Sequence, residues 1–135
     1  MVRDDPLVLE ILAVLDEDLA AGAKLMQPRY RANAIKTATL DGYCAVGAAA
    51  YYFFEGDGRK SHLQPMQRTY HGGSHWWLVR NGSEVLDFTI RPGERGGQYP
   101  YEKGGPRGFV SVGYQRAPTR AKEVIARVRR RRRRR

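Results

Sequence analysis

The sequence predicts an α+β fold in which a buried central helix carrying a cysteine packs on an antiparallel sheet. Apolar residues recur at helical spacing near the N-terminus, and a run of small apolar residues further along predicts a second, buried helix. From about residue 64 the pattern changes to short runs rich in aromatic and branched residues, which is typical of strands. A helical pattern returns near the C-terminus.

The first helix is predicted to begin at Asp4-Asp5-Pro6, because an acidic capping residue and an early proline both favour a helix start. Its apolar positions have helical spacing: Leu7, Ile11, Leu12, Val14, Leu15 and Leu19. We expect Ala21-Gly22 to end it. Residues 23–41 are ambiguous, since Pro28 argues against one long helix.

A second helix is predicted from Cys44 to about Phe54, and its nearly continuous apolar surface is typical of a buried helix. We expect Glu55 to Gly58 to end it. The strands that follow are predicted at Gln64–Tyr70, His75–Val79 and Ser83–Phe88, with Phe109–Tyr114 as a further candidate.

Residues 91–108 are rich in glycine and proline and predict a long loop, which serves either as a flap over a substrate or as a plain connection. Thr119 to Val128 predicts a final helix capped by Thr119.

The basic charge is concentrated at the C-terminus. Seven units of the formal charge of +10 come from consecutive arginines, and the remaining residues carry a net charge of +3. The seven arginines are Arg129, Arg130, Arg131, Arg132, Arg133, Arg134 and Arg135. We therefore expect one domain over residues 1–128, followed by a disordered tail over 129–135 that binds polyanions, either without specificity or by docking to nucleic acid or an acidic protein. Because the apolar face ends at Val128, removal of the tail is expected to leave the fold intact.

Several function classes are disfavoured by composition. No apolar run approaches the roughly 20 residues that span a bilayer, so we expect no membrane partner. The acidic N-terminus lacks the basic start of a signal peptide, and a single cysteine excludes an internal disulfide. These features favour a reducing, cytoplasmic compartment.

Three residues suggest thiol chemistry. Cys44 follows a glycine turn at the start of the apolar helix, His75 begins a strand, and Asp87 ends the next one. A thiol becomes a nucleophile as its thiolate, so it needs a nearby base, and that base needs an orienting group. The unpaired N–H groups of a helix N-terminus favour a thiolate and also stabilise an oxyanion.

The hairpin register decides whether His75 and Asp87 can meet. A three-residue loop at Arg80-Asn81-Gly82 would pair Val79 with Ser83 and place His75 directly opposite Asp87. Cross-strand partners lie on one face with Cβ atoms about 5 Å apart. A two-residue turn would instead place Asp87 opposite Trp76, on the other face.

These motifs resemble the transglutaminase-like branch of the papain-like fold. The resemblance rests on Cys44 at a helix start, His75 beside tryptophans, and Asp87 in the stretch LDFT, in that order. It implies a papain-like domain with Cys44, His75 and Asp87 as the catalytic triad. Both spacings between triad residues are shorter than in larger transglutaminases, which implies a reduced cleft. The stretches GYCAVGAAAYYF, SHWWLVRNGSEVLDFT and YPYEKGG are also similar to small bacteriophage-encoded proteins, which implies a host-cell cytoplasmic location.

The sequence thus predicts an acyl-transfer enzyme, a hydrolase or a transferase, that acts on an amide or ester in a protein or small molecule and uses no cofactor. Gln27 and Tyr30 are candidates for oxyanion or substrate contacts. One of Trp76 and Trp77 should lie in the core, and the other either lines a cleft next to His75 or lies in the core as well.

Alternative interpretations remain open at this point. His71 is an alternative base, and each triad residue has a purely structural interpretation, Cys44 as a buried apolar residue above all. A zinc site lacks the usual ligand spacing, so we expect no metal. The rival hypothesis is a non-catalytic binding protein on the same scaffold, which contacts nucleic acid or an acidic host protein through the arginines.

Overall fold

The computed structural model describes residues 5–54, 62–70, 73–91, 99–109 and 116–134. Across these residues the chain forms four α-helices and a four-stranded antiparallel sheet of order β3-β2-β1-β4, so the α+β class is confirmed. The elements are α1 (Pro6–Ala20), α2 (Pro28–Thr37), α3 (Cys44–Phe53), β1 (Leu63–Tyr70), β2 (Gly73–Arg80), β3 (Glu84–Leu86), a 3₁₀ turn (Tyr101–Lys103), β4 (Gly105–Pro106) and α4 (Thr119–Arg133).

Helix α1 begins where the sequence predicted. Asp5 Oδ1 caps it by accepting from the N–H groups of Leu7 and Val8 at 2.9 and 3.4 Å, while Asp4 lies outside the described residues. The helix ends at Ala20, and Gly22 turns the chain with a φ of +108°.

The ambiguous residues 23–41 contain a short helix, α2, which Pro28 begins rather than breaks. Only Ala34 of α2 is buried. Arg31 ties α2 to the preceding turn, because its guanidinium donates to the carbonyls of Ala23, Lys24 and Met26.

Helix α3 is the central helix, as predicted. It contacts α1, α4 and β2, and most of its residues are buried. Gly47 lets it approach the end of the hairpin, since a Cβ atom at this position would lie 2.4 Å from Cβ of Phe88. The stretch from Glu55 to Gly58, expected to end this helix, lies outside the described residues.

The two faces of the hairpin have different neighbours. Trp76, Leu78 and Leu86 belong to the core shared with the helices, whereas Trp77 contacts the aromatic rings of Tyr99 and Tyr101. The segment that contains these tyrosines therefore covers the face of β2 that carries His75.

The predicted hairpin register is wrong, although the faces are right. Val79 pairs with Val85 instead of Ser83, and the loop is Asn81-Gly82-Ser83. Asn81 and Gly82 both have positive φ, as in a type I′ turn, and Ser83 is the extra residue before the ladder resumes. Because the shift is two residues, every side chain keeps its face.

Residues 99–109 are more ordered than the predicted loop. They contain the 3₁₀ turn and β4, which pairs with Met66 and Gln67 of β1. Gly104 lies against Trp77, where a Cβ atom would come within 2.2 Å of the indole. Residues 92–98 of that loop, and 110–114 of the candidate strand Phe109–Tyr114, are outside the described residues.

Helix α4 corrects the expectation of a disordered tail, because it continues through Val128 to Arg133. Acidic and aromatic partners make this continuation favourable. Arg132 donates to both carboxylate oxygens of Glu10 at 2.8 and 2.9 Å, and Arg131 pairs with Glu17 of α1. Arg135 lies outside the described residues, and the first helical residue is Thr119, which does not act as a cap.

Two further arginines of α4 have partners, one at the end of α3 and one within α4. Arg129 donates to the carbonyl of Phe54 at 3.0 Å and lies over its ring, while Arg130 pairs with Glu123. Arg133 and Arg134 are exposed. Among the described helices, none is long and apolar enough to cross a membrane.

Candidate active site

Cys44 is the first residue of α3 and is 8% exposed. Gly42 makes the preceding turn with a φ of +99°, and a side chain there would collide with Met26 and Tyr30. The N-cap residue Tyr43 makes no side-chain capping bond to α3, and the N–H groups of the first turn have no partner within the helix. The thiol therefore lies beside a local concentration of positive partial charge.

His75 and Asp87 form a buried hydrogen-bonded pair. Nε2 of His75 lies 2.8 Å from Oδ2 of Asp87, and the two residues are 9% and 2% exposed. His75 belongs to β2, and Asp87 follows the last residue of β3. With Nε2 engaged by Asp87, Nδ1 is the ring nitrogen left for Cys44.

Hydrogen bonds to both oxygens hold the Asp87 carboxylate in place. Its Oδ1 accepts from the N–H and hydroxyl groups of Thr89 at 3.0 and 2.7 Å, as expected for an Asx turn. Its Oδ2 accepts a second hydrogen bond, at 2.7 Å, from the hydroxyl of Tyr101. This network fixes the carboxylate toward the imidazole.

Tyr99 and Tyr101 are site residues that the sequence reasoning missed. The Tyr99 ring lies against His75 with centroids 4.3 Å apart, and its hydroxyl is buried without a partner among the described residues. Burial and the nearby Asp87 charge raise the pKa of Tyr101, so its hydroxyl stays a donor. The motif YPY was the available signal, because two tyrosines in a glycine-rich loop are suited to packing on the aromatic strand His75–Val79.

The charges of the pair reinforce one another. Burial by itself lowers the pKa of His75, but the hydrogen bond to Asp87 and the neighbouring Cys44 outweigh it and raise the pKa from 6.5 to about 9. Burial likewise raises the pKa of Asp87, and the contact with His75 and the donors Tyr101 and Thr89 overcome it and lower that pKa. An imidazolium and a carboxylate are thus the favoured forms near neutral pH.

A cleft of about 330 Å³ opens onto His75 and the Cys44 thiol. Cys44 and His75 both line it, together with Tyr30, Asp41, Gly42, Ser74, Thr89 and Tyr99. The Cys44 sulfur also lies 3.9 Å from the carbonyl oxygen of Ser74, which seats the thiol against β2. A candidate nucleophile and base therefore line one accessible cleft, and the Asp87 carboxylate lies buried behind the imidazole.

The other sequence candidates divide between this cleft and its surroundings. Tyr30 lines the cleft, whereas Gln27 is exposed and lines a neighbouring cavity that shares Gly42 with it. Trp76 is in the core, stacked on Phe109, and Trp77 packs beside His75 beneath Tyr99 and Tyr101. Neither tryptophan is among the residues that line the cleft, so the alternative in which both tryptophans are buried fits the structure.

His71, the alternative base, lies outside the described residues. His62 is exposed, and its carbonyl accepts from the N–H of Asn81. In the described part of the chain no group of three or more histidine, cysteine, aspartate or glutamate residues is arranged to hold a metal.

Comparisons with protein-family models, with curated proteins and with solved structures give no match to this chain.

Proposed function

We propose that this protein is a thiol-dependent acyl-transfer enzyme of papain-like type, with Cys44 as nucleophile, His75 as base and Asp87 as orienting residue. One observation carries the proposal: the buried hydrogen bond of 2.8 Å between His75 and Asp87, beside a helix-terminal thiol in the same cleft. A solvated surface histidine would need no such carboxylate, and a purely structural cysteine would need no imidazole.

In the proposed resting state the proton of the Cys44 thiol already lies on Nδ1 of His75, so that the first half-reaction begins from a thiolate–imidazolium pair. The sulfur then forms a bond to the carbonyl carbon of an amide or ester, and the carbonyl oxygen becomes an oxyanion beside the first N–H groups of α3. As the oxyanion collapses, the bond to the leaving amine or alcohol breaks. That leaving group takes the proton from Nδ1, and a thioester remains on Cys44.

In the second half-reaction His75 takes a proton from water or from an amine, which then attacks the thioester carbonyl. The carbon–sulfur bond breaks and the thiol is restored, giving an acid by hydrolysis or a new amide by transfer. Asp87 keeps its negative charge in both halves, because its role is to hold the ring and stabilise the imidazolium.

A reporter ester tests the proposal directly. Incubation with p-nitrophenyl acetate should release a burst of nitrophenol equal to the enzyme concentration, and intact-mass measurement should find one acetyl group on Cys44. Cys44→Ala should lose both signals, whereas His62→Gln, a change at an exposed histidine outside the cleft, should keep them. Labelling of Cys44→Ala at the wild-type rate, or an unmodified Cys44 in the wild type, would refute the enzyme.

The rival function is a binding protein that contacts a polyanion through the arginines of α4. What favours it is the exposure of Arg133 and Arg134 at the end of the helix. Exposed arginines of this kind add affinity for any polyanion, with a strong dependence on salt. Several neighbouring arginines already have acidic partners within the chain, which reduces the charge available to a ligand.

Binding of a fluorescent single-stranded oligonucleotide at two salt concentrations tests this rival function. Arg133→Ala with Arg134→Ala should weaken the binding and flatten its salt dependence. Unchanged affinity in that double variant would rule out the helix end as a polyanion site.

A further inference from the structure

A second cavity of about 310 Å³ lies beside the reactive cleft. It is formed by three segments: the turn that contains Leu25 and Gln27, the first turn of α3, and the start of α4 at Pro118, Thr119 and Arg120. Its volume is at the lower end of the roughly 300–1,000 Å³ typical of small-molecule sites.

The cavity and the reactive cleft share part of their lining. Gly42 lines both of them, and the residues that follow Cys44 in α3, Ala45 and Val46, line the second. The Cys44 sulfur and the second cavity thus lie at the same end of α3, and a group attached to a carbonyl carbon on that sulfur would extend past Gly42 to enter the cavity.

The lining selects an apolar occupant. Leu25, Ala45 and Val46 provide aliphatic surface, whereas Gln27, Thr119 and Arg120 are exposed. Leu25 and Val46 are 7% and 9% exposed, so the apolar surface that an entering aliphatic chain buries would be mainly its own. The carbonyl end would stay in the polar cleft near His75.

We infer that this cavity is a subsite for the apolar portion of the acyl donor, so that the preferred substrates carry an aliphatic or aromatic acyl group rather than a small polar one. The inference rests on the proposed acyl transfer at Cys44. It assigns the site a substrate class and gives the surface between α3 and α4 a role.

The test compares p-nitrophenyl hexanoate with p-nitrophenyl acetate. Each acylation rate of Cys44 is divided by the rate of the same ester with N-acetylcysteine, which removes intrinsic reactivity. We expect the corrected hexanoate rate to exceed the acetate rate about tenfold or more, because even one methylene in an apolar pocket changes a rate by roughly tenfold. A corrected ratio near one would overturn the subsite.

Substitutions in the cavity test whether it causes the preference for the hexanoate ester. Ala45→Met should fill the cavity from a rigid helix and reduce the ratio to near one, while Lys36→Met, which puts the same side chain on the exposed surface of α2, should keep it. If Ala45→Met does not fold, Thr119→Phe at the exposed rim should have the same effect. A ratio that survives in a folded variant of either kind would overturn the assignment.

Alkylation separates this inference from the acyl-transfer mechanism. Iodoacetamide and N-hexyl iodoacetamide modify Cys44 without any acyl step, so their corrected ratio reports the cavity alone. A preference for the hexyl reagent that Ala45→Met removes, in a protein that no ester acylates, would support the apolar site and refute the enzyme. Acylation by both esters, with no preference for the longer chain in either assay, would support the enzyme and refute the apolar site.

Discussion

Asp87 uses all its acceptor positions within the protein. Four donor groups on His75, Thr89 and Tyr101 surround its carboxylate, and the residue is 2% exposed. Such a buried charge is tolerated only where donors replace the water it has lost. Its geometry is therefore fixed before any substrate arrives.

Replacing this carboxylate by its amide tests whether the network is functional. In Asp87→Asn one carboxylate oxygen becomes an NH2 group, which cannot accept from the donors on its side, and the negative charge is lost, so the ring should lose its orientation and its preference for the imidazolium. We expect the rate of Cys44 alkylation by iodoacetamide at pH 7 to fall at least about tenfold. The matched change Glu84→Gln, on the partly exposed carboxylate that pairs with Arg80, should leave the rate within about twofold of wild type. Equal rates in the two variants would contradict the role of Asp87.

Among the elements, the β2–β3 hairpin has faces that local sequence predicts and a register that it does not. The pattern of His75 to Val79 predicted the strand and its faces, because alternation depends only on local side chains. It did not predict which residue of the turn is extra, since an Asn-Gly turn is compatible with a loop at either side of it. An odd loop length was sufficient to bring His75 and Asp87 to one face.

Gly47 couples the helix of Cys44 to the strand end that carries Asp87. An alanine Cβ would lie 2.4 Å from Cβ of Phe88, so Gly47→Ala must push the two elements apart. We expect a loss of about 1–3 kcal/mol in the free energy of unfolding, as for other overpacked cores, together with slower Cys44 alkylation. Gly82→Ala is the comparison, because its Cβ meets open space, although its φ of +77° causes strain. If Gly47→Ala loses stability but keeps the wild-type alkylation rate, the packing of Gly47 on Phe88 does not control the reactivity of Cys44.

The end of α4 gives an expectation opposite to that from the sequence. Removing residues 129–135 deletes the contacts of Arg131 and Arg132 with α1 and those of Arg129 with Phe54. Exposed ion pairs contribute about 0.2–1 kcal/mol each, so we expect the deletion to cost on the order of 2 kcal/mol at low salt and less at high salt. Thermal melts at two salt concentrations measure it. Replacing only Arg133 and Arg134 by alanine is the control, and a deletion that melts like wild type would show that the sequence expectation was correct.

At the scale of the whole molecule, the titration of the site predicts how stability depends on pH. The folded-state pKa of His75 is raised from 6.5 to about 9, so its stabilising contribution is complete below pH 6.5 and is lost as the pH rises through 9. The folded-state pKa of Asp87 is lowered, so its contribution is present above the unfolded value and is lost on acidification. Their combined contribution is largest between these limits.

The unfolding free energy of wild type and His75→Gln, measured in urea from pH 5 to pH 10, checks this dependence. The advantage of wild type should be largest near pH 5–6 and should shrink between pH 6.5 and 9. Parallel pH profiles for the two proteins would show that His75 is not ionised in the folded state. The exposed His62, changed to Gln, should leave the profile unaltered.

Much of the molecule follows from local patterns, and the remainder depends on contacts distant in sequence. The capping of α1 by Asp5, the burial of α3 and the main strands are local and were predicted. The helical end of α4 was not, because like charges repel unless acids such as Glu10 and Glu17 of another helix lie opposite. Tyr101 was missed for the same reason, since its partner Asp87 is reached only after the loop folds back over the sheet.

Cys44, His75 and Asp87 should act as one unit, and the pH profile of Cys44 alkylation is the sharpest test of this coupling. Iodoacetamide labelling is followed by intact mass from pH 5 to pH 10 in wild type, His75→Gln and His62→Gln. A thiolate paired with an imidazolium should give wild type and His62→Gln rates that are already high at pH 6–7, whereas His75→Gln should rise only toward the ordinary thiol pKa of about 8.5. Superimposable profiles for wild type and His75→Gln would show that His75 does not activate Cys44.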